Sequence, residues 1–304
     1  MPMAHHHEHS HAPKTYNRAF LIGTSLNIGF VLVEAWFGLI TNSLALIADA
    51  GHNLSDVLGL LLAWGASYLV QRPPNHKYTY GLRRSSILAA LINAILLLLT
   101  MGGITWEAIR RLQEPSAVAG GTVILVAGIG VVINTITALL FMSGRDKDMN
   151  IRGAFLHMAA DALVSVGVVL AGMAILLTGW LWFDPVISLV IVAVIVVGTW
   201  NLFKDALELI LDGVPKQIEP IAVRTFLQNL QGVTQVHDLH IWAMSTTETA
   251  LTAHLVIPEG YTGDRFLTDT CEALHTNFGI DHSTLQIESG DPDYPCHLEP
   301  ESHV

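Results

Sequence analysis

His52 and Asp56 stand four residues apart in ADAGHNLSD, and the spacing recurs at His157 and Asp161 in LHMAADAL. On an α-helix, positions i and i+4 lie one above the other on the same face. Each pair can therefore present an imidazole nitrogen and a carboxylate oxygen to a single point. A lone buried His–Asp pair is usually a hydrogen-bonded structural contact, but two copies of it point to metal ligation. Two nitrogens and two oxygens suit a tetrahedral zinc ion, whereas magnesium and calcium want all-oxygen shells. With no thiolate in the set, the ion is held less tenaciously than by four cysteines, as a carrier requires. Asp49 lies about 60° from His52 around the same helix, where it can orient a ligand, pass protons or cap a neighbour.

These side chains sit in surroundings hostile to charge. The 304-residue chain is 51% hydrophobic and only 13% charged, against roughly a quarter charged in soluble domains, and its mean hydropathy is +0.48. Apolar segments at 17–40, 44–70, 86–109, 117–142, 153–178 and 184–203 each approach or exceed the roughly 20 residues that a membrane-spanning helix needs. Counted from Leu44, where the second span starts, His52 lies about 12 Å and Asp56 about 18 Å along it, well inside the hydrocarbon. An aspartate there costs at least about 2.5 kcal/mol, so two carboxylates demand a compensating cation. The loop after the second span carries Arg72, Lys77, Arg83 and Arg84, and the loop after the fourth carries Arg145 and Lys147, with Arg152 at its edge. Only Arg110 and Arg111 oppose that bias, which predicts both termini on the cytoplasmic side. Asn27, Asn93 and Asn134 read as packing contacts between helices, and Glu34 as a group lining the access path.

The chain divides into a histidine-rich disordered N-terminus (1–16), a six-helix membrane domain (17–203), a cytoplasmic α+β domain (204–291) and a flexible tail (292–304). In the third part a helix near 216–230 precedes strands VTQVHDLHIWAM and TALTAHLVIP, then a helix near 262–278 and a strand STLQIES. On a regular strand His237 and His240 face opposite sides. A net charge of -11 excludes a nucleic-acid partner. Cys271 and Cys296 make no disulfide framework, and Cys296 reads as a free surface thiol. The opening HHHEHSH is a metal-collecting composition, and it lacks the basic flank and apolar run of a cleavable leader. Glu8 and Ser10 interrupt it, unlike an added tag. A membrane enzyme with a metal-activated water is the rival reading, but the chain has no HExxH, nucleophile elbow or P-loop.

The stretches SLALIADAGHNLSDVLGLLLAW, NIRGAFLHMAADALVSVGVVLAG and VHDLHIWAMS resemble the zinc-transporting branch of the cation diffusion facilitator family, and the resemblance runs over nearly the whole chain. It implies six transmembrane helices followed by a cytoplasmic ferredoxin-like α-β-β-α-β domain; the compact loops and short tails fit a bacterial inner membrane, with a eukaryotic organelle as the alternative. It further implies a homodimer that exports Zn2+, and Cd2+ with it, from the cytoplasm in exchange for protons by alternating access. Relatives selective for cobalt, nickel, iron or manganese are the alternative. By this resemblance His52, Asp56, His157 and Asp161 take the positions of the transport-site ligands. Ligands for a regulatory Zn2+ fall at His237, His254 and Glu288, with contributions near His282 or Cys296. Some relatives carry a histidine near Gln286, so the cytoplasmic ligand set departs from theirs. His76 lies in a loop where some relatives bind another metal; alone it reads as a loop residue.

Overall fold

The computed structural model describes residues 14–142, 149–260 and 263–299. The N-terminal histidine tract, Arg145 and Lys147 lie outside them. Six long helices come first: α1 (Lys14–Thr41), α2 (Leu44–Val70), α3 (Ser85–Gln113), α4 (Gly120–Met142), α5 (Met149–Thr178) and α6 (Phe183–Ile210). They are followed by α7 (Pro220–Gln228), β1 (Gln235–Ala243), β2 (Thr249–Val256), α8 (Asp264–Phe278) and β3 (His282–Glu288). The described residues fall into two compact units, one within 1–60 and 95–200, the other within 61–94 and 201–304.

All six long helices feed the core of the first unit, through Phe30, Ala48, Met101, Val126, Val168 and Val192. Alanines on the buried face of α2 let its neighbours approach closely. The outward faces carry Leu99, Leu125, Leu163, Leu177 and Val197, all more than half exposed. Only lipid tolerates so large an apolar exterior, and the protein is an integral membrane protein. Among the described residues four helical stretches are long and apolar enough to cross: Ser85–Gln113, Gly120–Leu140, Phe155–Thr178 and Phe183–Ile210. α1 adds the shorter apolar stretch Asn27–Thr41.

Where hydropathy ends the sixth segment at residue 203, the helix runs on to Ile210. The i→i−4 ladder needs no apolar side chains, so Lys204 and Asp205 change the surroundings without stopping the helix. At about 1.5 Å per residue α6 is roughly 42 Å long, more than the hydrocarbon thickness.

The corner between α1 and α2 is tightly held. Asn42 takes the left-handed conformation, with φ 57°. The Asp184 carboxylate, in the first turn of α6, accepts from Ser43 Oγ at 2.5 Å, Leu44 N at 2.7 Å and Ala45 N at 3.3 Å. It thereby satisfies free N–H groups that begin α2, a capping task usually done by a residue next to the helix. Arg111 of α3 donates to the Asn42 carbonyl, and at 2.7 Å to its side-chain oxygen.

The second unit contains a three-stranded sheet in the order β1-β2-β3. β1 and β2 run antiparallel, β2 and β3 parallel, with α8 as the crossover. Central β2 is buried at every position except Thr252. Its Leu251 and Leu255 share one apolar cluster with Val223 and Leu227 of α7 and Leu274 of α8. The α-β-β-α-β order is the expected one. Glu219 caps α7 ahead of Pro220, and α8 ends at left-handed Gly279, φ 68°. Arg83 and Arg84, in the basic stretch before α3, pair with Glu248 and Asp212.

Candidate metal centre

Helices α2 and α5 bring both HxxxD pairs together. His52 Nε2 lies 3.7 Å from Asp56 Oδ2 and 3.6 Å from Asp161 Oδ1. His157 Nε2 lies 3.2 Å from Asp56 Oδ2 and 3.6 Å from Asp161 Oδ2. The two imidazole rings meet edge-on, with centroids 5.8 Å apart. Each histidine thus aims the same nitrogen at both carboxylates, one on its own helix and one across. Asp161 is buried, whereas the side chain of His157 is 40% exposed and opens one flank of the cluster. Buried Asp56 Oδ2 and Asp161 Oδ2 have no hydrogen-bond donor. Buried acceptors of that kind call for a cation.

Behind the ligands a second set of polar groups ties the helices. Ser165 of α5 donates to Asp49 Oδ2 at 3.1 Å, and Asn53 of α2 donates to Glu34 Oε2 at 3.3 Å. Glu34 Oε1 and Asp49 Oδ1 are buried with no hydrogen-bond partner. Glu34 is completely buried. It does not line an open path as expected; it packs α1 against α2 behind the ligands. Asn27 Nδ2 reaches Met158 Sδ at 3.1 Å, an interhelical contact of the expected kind. Asn134 is buried with neither amide atom bonded. Gly130 of α4 admits Phe30 here: a Cβ at that position would stand 2.6 Å from Phe30 Cζ and 3.1 Å from Ser165 Oγ.

A second cluster forms on the sheet. His237 and His254 are cross-strand partners on β1 and β2, with ring centroids 5.1 Å apart. Glu288 closes β3, with Oε1 2.9 Å from His254 Nδ1 and Oε2 3.4 Å from His237 Nε2. Gln286 is not a ligand alternative here; its amide donates to Glu288 Oε1 at 2.8 Å. His282 stands apart, its ring against Tyr80 at 5.6 Å, and His76 is exposed. Burial works to raise the Glu288 pKa, but hydrogen bonds from Cys296 and Gln286 and the adjacent His237 and His254 hold it below the ordinary carboxylate range.

Asp238 is the residue that sequence reasoning passes over. A bulge falls between His237 and His240, and Asp238 within it adopts φ 49°. Its carboxylate lies 3.4 Å from His254 Nε2 and 2.9 Å from His240 Nε2. A carboxylate behind an imidazole fixes ring orientation and leaves the opposite nitrogen free for a ligand. His240 itself stays outside the cluster. The available signal was the HDLH string, in which an acidic residue separates two histidines.

Comparison with known proteins agrees with this architecture. The family description "Cation efflux transmembrane domain" matches residues 20–211, and "Cation efflux protein, cytoplasmic domain" matches residues 215–290. The chain is 36% identical over 286 residues to a "Cadmium, cobalt and zinc/H(+)-K(+) antiporter" of Bacillus subtilis, covering 92% of each chain. It is 35% identical over 307 residues to the "Zinc transporter ZitB" of Escherichia coli, covering 99% of this chain and 96% of that one. It is 36% identical over 283 residues to the "Metal cation efflux system protein CzcD" of Cupriavidus metallidurans, covering 93% and 89%. With both halves matched, in the order that the helices and the sheet require, the chain belongs to the cation efflux, or cation diffusion facilitator, family.

Proposed function

We propose that the chain is a secondary active transporter that exports zinc, and cadmium with it, from the cytoplasm in exchange for protons. The observation that carries this reading is the gathering of His52, His157 and Asp161, with ligand atoms within 4.8 Å of one another, and of Asp56 Oδ2 at 3.2 Å from His157 Nε2 and 3.7 Å from His52 Nε2. Two neutral imidazoles and two carboxylates cancel the charge of a divalent ion, which lowers the electrostatic cost of holding it within the membrane. A free histidine titrates near pH 6.5 and binds metal only when neutral. Protons arriving from a more acidic exterior therefore displace the ion, and metal arriving from the cytoplasm displaces the protons. The names of the Bacillus and Escherichia relatives support zinc and cadmium as cargo.

In this reading α1 to α6 all cross a bacterial inner membrane, both termini are cytoplasmic, and the protein works as a homodimer by alternating access. Asp49 orients the ligand helices through Ser165. His237, His254 and Glu288 bind a regulatory zinc ion. Zinc uptake by sealed proteoliposomes under an imposed pH gradient tests the transport site, comparing the native chain with Asp161→Ala. Gradient-driven flux that disappears in the variant is expected. Equal flux in both would make the paired motifs structural, and flux indifferent to the gradient would remove the proton from the cycle.

A further inference from the structure

Asn134 of α4 is fully buried, and neither its amide nitrogen nor its amide oxygen has a hydrogen-bond partner. It makes no interhelical hydrogen bond, in contrast to Asn27, whose amide reaches Met158. An amide left unbonded inside a protein destabilises it, whereas an apolar side chain of similar shape would not. A group retained under those conditions calls for a partner that comes and goes.

The register of α4 on its neighbours shows where that amide stands. α4 runs antiparallel to α5: a Cβ on Gly120 would stand 3.0 Å from Gly172 O, and one on Gly130 would stand 3.1 Å from Ser165 Oγ. One turn further along α4 is Asn134, and one turn back along α5 from Ser165 is Asp161. α4 is also antiparallel to α1, since Ala119 N donates to Thr41 O at 3.5 Å while Gly130 packs against Phe30. One turn from that contact Asn134 comes level with Asn27. The two registers agree, because Asn27 itself meets Met158, one turn before Asp161. Asn134 is thus level with Asp161, whose buried Oδ2 also lacks a donor.

A carboxamide differs in kind from the four ligands. It is uncharged, so it does not trap a divalent ion, yet it offers a donor and an acceptor together. A divalent ion arrives with water bound to it, and that water turns its O–H groups outward. Asn134 Oδ1 can accept from such a water while Nδ2 donates to Asp161. We propose that Asn134 is a further residue of the transport site, one that takes up the hydrogen bonds of the ion's departing water without touching the ion. It sets how fast the ion enters and leaves the quartet, and not how tightly the quartet holds it. The inference rests on the reading of that quartet as the transport site. Zn2+ is smaller than Cd2+ and holds its water more firmly, so the help given to zinc is the greater.

The test compares the native chain, Asp161→Ala, Asn134→Leu and Asn134→Ser in sealed proteoliposomes, with Zn2+ and Cd2+ flux measured over a range of concentrations. Affinity is read at equilibrium as the share of Zn2+ binding that Asp161→Ala removes. Asn134→Leu should lower the maximal zinc flux about tenfold, the worth of one or two hydrogen bonds. Cadmium flux should fall less, and the affinity for zinc should stay as it was. Serine keeps a donor and an acceptor, so Asn134→Ser should recover most of the rate. Affinity that falls in step with the rate would overturn the proposal by making Asn134 a direct ligand. Equal slowing of both ions, or a serine no better than leucine, would make it a packing residue. Full rates in Asn134→Leu would remove it from the cycle, and the transport site would still stand if Asp161→Ala abolished flux. Flux that survives Asp161→Ala would overturn the site itself, so the two readings fail separately.

Discussion

The membrane quartet and the cytoplasmic cluster contain similar residues on opposite kinds of support. In the membrane, two helices contribute an i,i+4 pair each, so the ligand geometry is set by how two rods lie against each other. On the sheet, neighbouring strands fix His237 and His254 by backbone register, and that register cannot change without breaking the ladder. The outer contacts differ too. His52 Nδ1 is buried and bonded to nothing, whereas His254 Nε2 faces Asp238. A helix-borne site with a loosely oriented histidine suits an ion that must leave. A sheet-borne site with a braced histidine suits an ion that stays.

That division makes the two clusters separable by mutation. The largest effect is expected from His157→Ala, which should cut zinc flux in proteoliposomes at least about 100-fold while leaving cadmium binding at the sheet cluster intact. Substantial residual flux would mean that the carrier site is not the α2–α5 quartet. Asp238→Asn removes the charge behind His254 and should weaken cadmium binding at the sheet about tenfold by calorimetry. Flux at saturating zinc should stay as it was; a collapse would show that the sheet site drives transport instead of sensing metal. Gly130→Ala forces a methyl against Phe30 and should cost about 1–3 kcal/mol, seen as a lower thermal midpoint. An unchanged midpoint would show that α1 and α4 part freely beside the site.

The smallest expected effect concerns proton affinity at the sheet. Burial pushes the metal-free Cys296 thiol up, and the carboxylates of Glu288 and Asp238 beside it add to the rise. Because the thiolate is the reactive form, its alkylation should be slow at pH 7 and accelerate only above the free-thiol value of about 8.5. A profile centred at or below that value would place Cys296 away from those carboxylates.

How much of this was legible from residues alone follows from the range of each interaction. The long helices announce themselves because burying a span in lipid requires an unbroken apolar run, and the HxxxD repeats because helical spacing is a local property. The end of α6 at Ile210 is not legible in hydropathy, which reports the surroundings of a helix and not its hydrogen bonding. Asp184 looks like an ordinary first-turn residue of its own helix; its grip on Leu44 spans 140 positions and no local pattern encodes it. Resemblance points near Cys296, but its approach to His254 depends on the turn at Gly290, which no local pattern encodes. Asp238 escapes because a bulge reassigns the facing of residues that a regular strand would alternate.

The held corner at Asn42 gives α2 a fulcrum. Its first turn is fastened by Asp184, and the corner residue by Arg111, while His52 sits eight residues further on, about 12 Å along the axis. On a lever of that length, a tilt of about 1° moves the imidazole by about 0.2 Å, the tolerance of a metal–ligand bond. If His52 is a ligand as proposed, rocking α2 through a few degrees about that corner would be enough to change the affinity for the ion.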